Sequence, residues 1–590
     1  MSAGAGRRPA EPNKGHPSGN TTGDTSAGQG TSGAGSPGRR HMKWWGWGDP
    51  GQAFDHTDKP GLRAFLLDRL GVDIAASPAP PPDPASLLVD SPRLPPSLLT
   101  ALQAAVGPDR VQTGDAERLV HASGKSLRDL IEMRSGTPGR LPDVIVYPET
   151  EQHVVDVLQL ALHANAVLIP FGGGSSISGS LRVPADETRP AICVDLADMN
   201  RVTAIDGHSR LATIQAGALG PDLEEQLARH GWTLGHFPDS FLHSTLGGWI
   251  ATRSSGMQSD SYGDIADIVQ GVRVVTPSGI LHTRPVPASS AGPSVTEMVL
   301  GSEGRLGITT ESTVRIRRRA PHRRVLAYLF PNWPRGLAAI ADARASQANP
   351  IFKRLADAEE TAFSFALGRA EHGTAQGTSR AVDFLLRRIL RRDPAQQCLA
   401  FVGFEGTLGE MRRNRRVFSR IARAYGGLPL GSRPGALYDQ KKFDTPYLRD
   451  FLLDRGVLAD VCETAAPWSR LAGLHEEVFA TVHRELAGMG LRGSVMCHLS
   501  HTYHSGACLY FTFALVPAGD AAPIALYDRL KAAIQQAFID GGATLSHHHA
   551  VGTEHARWLP DDVSPAGAHL IGALFSSADP GRNLNPNKIV

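Results

Sequence analysis

Val167-Leu168-Ile169-Pro170-Phe171-Gly172-Gly173-Gly174-Ser175-Ser176 reads as a short buried strand that runs straight into three glycines and two hydroxyl side chains. Glycine tolerates positive φ and has no Cβ, so such a turn brings successive backbone N–H groups close to an anion. Ser175 and Ser176 add two donors. In outline this is a pyrophosphate cradle. It lacks the G-x-G-x-x-G spacing of the Rossmann loop, and no G-K-[ST] follows it, so neither the Rossmann nor the P-loop reading applies.

Upstream, Pro142-Asp143-Val144-Ile145-Val146-Tyr147-Pro148 is a β-branched strand closed by proline. Thr150 is placed to cap a helix whose apolar face is Val154, Val155, Val157, Leu158, Leu160 and Ala161. Downstream come two more donor-rich glycine loops. One is Pro238-Asp239-Ser240-Phe241-Leu242-His243-Ser244-Thr245-Leu246-Gly247-Gly248, followed by Ala251-Thr252-Arg253-Ser254-Ser255-Gly256. The other is Gly301-Ser302-Glu303-Gly304-Arg305-Leu306-Gly307-Ile308-Thr309. A single such loop is usually only a tight turn; three in one stretch point to a shared ligand. Strands are expected at 191–195, 210–215, 272–276 and 313–317, then at 325–330, 399–406 and 507–515. Helices are expected at 336–345 and 523–541. Strands mixed with helices argue an α+β fold.

The chain has 590 residues, more than one core accommodates, so two or three domains are expected. A formal net charge of +2 gives no case for nucleic-acid binding, which calls for a strongly basic face. The five cysteines are scattered and never spaced C-x-x-C, which argues against a disulfide scaffold or zinc site and for a reducing compartment. No apolar run reaches the length of about 18 residues that a membrane span needs. The beginning has no apolar core of the signal-peptide kind. Residues 1–40 are Gly, Ser, Thr, Pro and Ala with few apolar side chains, and are expected to be disordered. Trp44, Trp45 and Trp47 are expected to pack as an aromatic staple. A helix is expected at 62–70 and a Pro-rich linker at 77–84. The Ala, Arg, Gly and Pro bias points to a GC-rich bacterial genome.

On these loops, residues 142–317 resemble the FAD-binding domain of the vanillyl-alcohol-oxidase type of flavoprotein, a superfamily that includes D-lactate and glycolate dehydrogenases. The resemblance implies bound FAD, with the pyrophosphate held by Pro170, Phe171, Gly172, Gly173, Gly174, Ser175 and Ser176. The ring and adenosine fall to the later loops: Pro238, Asp239, Ser240, Ser244, Thr245, Thr252, Arg253, Ser254, Ser255, Glu303, Gly304, Leu306, Gly307, Ile308 and Thr309. Many covalent members carry a His just after the glycine pair of the first loop. Gly174-Ser175 stands there instead, which implies a non-covalent cofactor. The implied layout is a mostly helical segment at 41–140, a two-part FAD-binding domain at 141–320, an α+β substrate (cap) domain at 321–520 and a helical segment at 521–590 that completes the active site.

Further motifs narrow the match: Met42-Lys43-Trp44-Trp45-Gly46-Trp47-Gly48, Ser255-Gly256-Met257, Glu463-Thr464-Ala465-Ala466-Pro467-Trp468, Tyr503 before Gly506-Ala507-Cys508-Leu509-Tyr510-Phe511, and Ser546-His547-His548-His549. From about residue 42 to 590 the chain resembles the alkyldihydroxyacetonephosphate synthase (alkylglycerone-phosphate synthase) family of ether-lipid synthesis. The resemblance implies that acyl-dihydroxyacetone phosphate loses a proton from C1, that this carbon is joined to flavin N5 while the fatty acid leaves, and that a fatty alcohol then forms the ether without net redox. The alternative is a D-2-hydroxy-acid dehydrogenase or oxidase on the same scaffold; a third reading is a non-catalytic flavin-binding partner protein. Arg449, in Tyr447-Leu448-Arg449-Asp450, matches the family's phosphate-binding Arg; a lone Arg would read as a surface salt bridge, for example to Asp450 or Asp454, but the resemblance tips Arg449 to phosphate. Arg354, in Phe352-Lys353-Arg354-Leu355, matches a second required Arg. Both suit a phosphate ester, since a guanidinium fork binds phosphate oxygens in pairs.

Tyr503, between His501 and His504, matches the family's acid/base Tyr. Proton abstraction beside a carbonyl needs a base near neutrality, or a Tyr whose pKa its neighbours lower. His547, His548 and His549 cannot all point one way, so two at most face the flavin. A metal site there is disfavoured by the lack of carboxylate or Cys partners at suitable spacing. After the histidines the family has Gly-Val-Gly and basic residues; Ala550-Val551-Gly552-Thr553-Glu554-His555 departs from this. A homodimer in the cytoplasm is expected. It would touch the inner membrane face through an apolar patch helped by Arg387, Arg388, Arg391 and Arg392.

Overall fold

A computed structural model describes residues 39–80, 82–84, 87, 89–368, 391–519 and 522–590. The expected tail, apart from Arg39 and Arg40, lies outside the described residues, as do Arg387 and Arg388.

The first layer is a four-stranded sheet in the order Val111–Gln112, Val144–Val146, Ala191–Asp195, Val167–Phe171. The last three run parallel. Their Val/Ile/Leu runs are almost wholly buried, as a parallel sheet demands. Helix Glu151–His163 is capped by Thr150, whose hydroxyl accepts the His153 N–H at 3.1 Å. Val154, Val157 and Leu158 on that helix share one core with Val144, Leu168 and Ile192 on one side and with Val275 and Ile308 on the other. The helix is thus a spacer between this sheet and the next.

That second sheet is antiparallel and five-stranded, in the order Val202–Asp206, Leu211–Gln215, Ile308–Arg315, Val269–Thr276, Gly279–His282. The two edge strands, Val202–Asp206 and Gly279–His282, were not foreseen; their exposed, weakly alternating faces leave little periodic signal. The chain end returns to the first sheet. Leu584 bridges Leu168, and the Asn585 side chain donates to the carbonyls of Ser180 and Glu303 at 3.0 and 2.7 Å.

The third sheet has seven strands, in the order Leu428–Gly431, His322–Phe330, Cys398–Gly406, Phe352–Ala356, Arg492–Thr502, Gly506–Val516, Leu458–Pro467. Helices Trp333–Ala345, Leu408–Ala424, Leu471–Met489 and Pro523–Asp540 contribute to the core that covers one face, built from Leu355, Val402, Leu509, Phe511 and Phe513. The opposite face, including Phe352, Tyr510 and Thr512, is left for a cavity. In Arg492–Thr502 a β-bulge falls between Leu499 and His501. The inserted residue reverses the alternation, so His498 before it and His501 after it face the same side. The tryptophans pack as expected, with Trp44 and Trp47 buried.

Candidate active site

The three glycine loops converge on one cleft of about 1780 Å³, part of it open to solvent. Loops one and two meet backbone to backbone. A Cβ on Gly173 would stand 1.7 Å from the His243 carbonyl oxygen, and one on Gly172 would stand 2.4 Å from Thr245 Oγ1. Gly174 has a φ of +71°, in the left-handed region. Among the described residues, no acceptor meets the N–H groups of Gly173, Gly174 and Ser175. Unpaired donors beside a cleft are what an anionic pyrophosphate requires, so the cradle fits FAD.

Most of the expected cofactor residues line this cleft, from Pro170 through Ser176 and from Pro238 through Ser240, with Ser244, Thr245, Thr252, Ser254, Glu303, Gly304, Gly307, Ile308 and Thr309. Three do not. Arg253 caps helix Leu246–Thr252 in the left-handed conformation and pairs with Glu297 at the surface. Leu306 is buried in the core with Trp249 and Phe575. Ser255 lines a side chamber. Glu303 lines the cleft, but its carboxylate accepts the Ser180 hydroxyl and the N–H groups of Val551 and Gly552, tying the third loop to the turn after the histidines. Trp47, Ser180 and Ser302 also line the cleft and were missed. For Trp47 the available signal was the aromatic cluster, which reads equally as packing.

His548 and His549 line the same cleft, and so does Arg449. Tyr503 and His547 do not, but they join the histidines from behind. The Tyr503 hydroxyl donates to Asp264 Oδ2 at 2.7 Å, so its oxygen is left to accept from His547 Nε2. Burial, and then the charge of His548, push His547 down to about 4, which keeps it neutral. With its proton on Nε2, its bare Nδ1 accepts from His548 Nδ1 at 2.8 Å. A directed chain results: His548 to His547 to Tyr503 to Asp264.

The expectation of a lowered Tyr503 pKa is corrected. Burial and Asp264 both push it up, because an anionic phenolate would be desolvated beside a carboxylate. His501 is itself held well below its usual value, by burial and by His547, and His504 is exposed. Of the three consecutive histidines only His548 is pushed upward: burial opposes its charge, but Glu463 overrides it. Carboxylate and thiol partners that spacing alone did not offer do come close to the histidines, although the Glu463 carboxylate is already taken up by the Ser546 hydroxyl and the N–H groups of His547, His548 and His549. The fold brings Glu463 and Cys508 to His547 and His548, with ligand-type atoms all within 4.8 Å of one another.

Arg449 donates to Asp460 Oδ1 at 2.9 Å and to the Lys125 carbonyl, not to Asp450 or Asp454. Asp450 is occupied by Arg134, at 3.2 Å. Arg449 Nε is buried with no partner. Asp460 also holds Lys531 at 3.0 Å, and Lys531 pairs with Glu554 at 3.2 Å. Glu554 therefore completes a buried charge network. Arg354 pairs with Glu360 at 2.8 Å and lines a chamber of about 420 Å³ with Tyr438, His498, Tyr510 and His548. Chamber and cleft share Pro238, Asp239, Tyr510 and His548.

Residues 142–284 match the family described as FAD binding domain, and residues 319–589 match FAD linked oxidases, C-terminal domain. The chain is 35% identical over 574 residues to alkyldihydroxyacetonephosphate synthase of Dictyostelium discoideum, covering 93% of this chain and 94% of that protein. To the protein of that name from Trypanosoma brucei brucei it is 32% identical, covering 93% and 92%. A solved alkyldihydroxyacetonephosphate synthase superposes with a TM-score of 0.81 at 34% identity, over 93% of this chain and 99% of that one. p-Cresol methylhydroxylase superposes with a TM-score of 0.60 at 14% identity, over 84% and 96%, a likeness of fold alone.

Proposed function

Because this chain belongs to the alkyldihydroxyacetonephosphate synthase family, we propose that it exchanges the acyl group of acyl-dihydroxyacetone phosphate for a fatty alcohol, leaving an ether. The bond from C1 to the acyl oxygen breaks and a bond from C1 to the alcohol oxygen forms. The fatty acid departs, and the alcohol's proton balances it. When bound, the flavin supplies the electron-pair centre at which this exchange proceeds with no external electron acceptor.

The observation that carries the reading is that Arg449, His548 and His549 share one cleft with the three FAD loops. Arg449, with its orphaned Nε, takes the phosphate, and Arg354 charges the adjoining chamber. His548 lines the cleft, and with its Nδ1 committed to His547 it has Nε2 left to receive the C1 proton. Charge then moves along hydrogen bonds that already point one way, through His547 and Tyr503 to Asp264, and returns when the product leaves. A group pushed up from an ordinary value of about 6.5 suits this work near neutral pH. Leu448, Leu452 and Val461 give the cleft an apolar wall for the chains. Incubating the yellow holoprotein with acyl-dihydroxyacetone phosphate and labelled hexadecanol tests this: labelled ether is expected, and its absence rejects the reading.

No helix among the described residues is long and apolar enough to cross a membrane. We place the protein, as a cytoplasmic homodimer, at a membrane surface from which it draws its lipids. Arg412, Arg413, Arg415, Arg416 and Arg420 are exposed on helix Leu408–Ala424 and supply a basic face for anionic lipid, whereas Arg392 is turned inward to the Gly426 carbonyl. Liposome flotation that depends on anionic lipid is expected; no flotation with either lipid removes this part.

A further inference from the structure

Glu463 is 2% exposed, does not line the cofactor cleft and takes no step in the reading above. Its carboxylate nonetheless fills a place built for it. Oε1 accepts the Ser546 hydroxyl at 2.8 Å and the backbone N–H groups of His547, His548 and His549, each at 3.0 Å. Oε2 accepts the His547 N–H at 2.9 Å and lies 3.3 Å from His548 Nδ1. Three successive N–H groups turned to one point form an anion nest. Here the anion is a side chain from strand Leu458–Pro467, held in register opposite Tyr510.

The nest accounts for the shape of the turn. Three consecutive histidines have no periodic structure to order them. The His547 and His548 N–H groups meet only this carboxylate, and His549 shares its N–H between the carboxylate and Ser546 Oγ at 3.2 Å, so without Glu463 two buried donors would go unpaired, each at a cost. A neutral amide does not replace it, because its N–H side would face donors.

We propose that Glu463 is the positioning residue of the histidine turn: its carboxylate folds the turn and fixes the direction of the chain from His548 through His547 and Tyr503 to Asp264. The role rests on the acyl-exchange reading. The charge of Glu463 also reaches the His548 ring. From other elements Asp239, Asp264, His236, His501, Cys508 and Tyr510 face that ring, and from its own turn His547 and His549. Burial disfavours an imidazolium there, and Glu463, at the shortest separation from His548 Nδ1 among the carboxylates, offsets it.

Glu463→Gln removes the charge at nearly constant volume. The variant should stay yellow, while the acid limb of its turnover profile moves at least one unit to lower pH, because His548 then loses its proton more easily. Glu463→Asp should bring the limb part of the way back. An unmoved limb in a folded, flavin-loaded Glu463→Gln protein overturns the proposal. If that variant does not fold, NMR of 13C-histidine in the wild-type holoprotein decides. One ring of the turn that titrates above about 6.5 supports the proposal, and none doing so overturns it. This titration needs no substrate, so its failure is distinct from a failure to make ether.

Discussion

Tyr503 and His547 are joined by a direct hydrogen bond although 44 positions separate them. Strand Gly506–Val516 and helix Pro523–Asp540 lie between, and the chain comes back beside the hairpin it left. The bond closes a chain whose other end, His548, faces the cleft, while the Tyr503 proton is held by Asp264.

Tyr503→Phe removes one hydroxyl and cuts the chain between His547 and Asp264. Turnover should fall about 10²–10⁴-fold, the usual worth of a placed proton-transfer group, with the flavin spectrum unchanged. Steady-state kinetics on the holoprotein measure it. Full activity would show that the proton does not pass this way.

Gly173→Ala should cost the cofactor. Its Cβ would stand 1.7 Å from a backbone oxygen of the second loop, so the two loops must part. Absorbance near 450 nm after purification should be lost or weakened at least tenfold in FAD affinity. In the wild type, acid precipitation should release the flavin into the supernatant, since the first loop offers Gly174 and Ser175 and no histidine for a covalent link. Flavin left on the precipitate would contradict that.

Arg449→Lys keeps a charge opposite Asp460 but loses the fork that reaches both Asp460 and the Lys125 carbonyl. The KM for acyl-dihydroxyacetone phosphate should rise at least tenfold, with less change in kcat and none in the flavin spectrum. An unchanged KM would take the phosphate away from Arg449.

The parts of the site that are contiguous in sequence were legible in it. Gly172-Gly173-Gly174 and the two later loops declare themselves by composition, because the chemistry of an anion cradle is local. Arg253 shows the limit of that reasoning: it sits inside a correct motif, yet as the residue after helix Leu246–Thr252 it takes a left-handed φ and turns outward. What pairs across strands stayed hidden. The bulge at Ser500 that re-aims His501, the Glu463 carboxylate inside the histidine turn and the Asp460 partner of Arg449 all depend on register between segments far apart. The sign of the Tyr503 shift stayed hidden for the same reason, since Asp264 comes from another sheet's approach.

The central claim is exchange at C1 without net redox. Its most direct test is incubation of the holoprotein with acyl-dihydroxyacetone phosphate and [18O]hexadecanol under argon, with no electron acceptor, followed by mass spectrometry of the lipid product. The account predicts an alkyl ether that carries the 18O of the alcohol, one fatty acid released per ether formed, and a flavin still oxidised at the end. No ether, together with a flavin bleached by D-lactate or glycolate, would contradict it and make the protein a hydroxy-acid dehydrogenase instead.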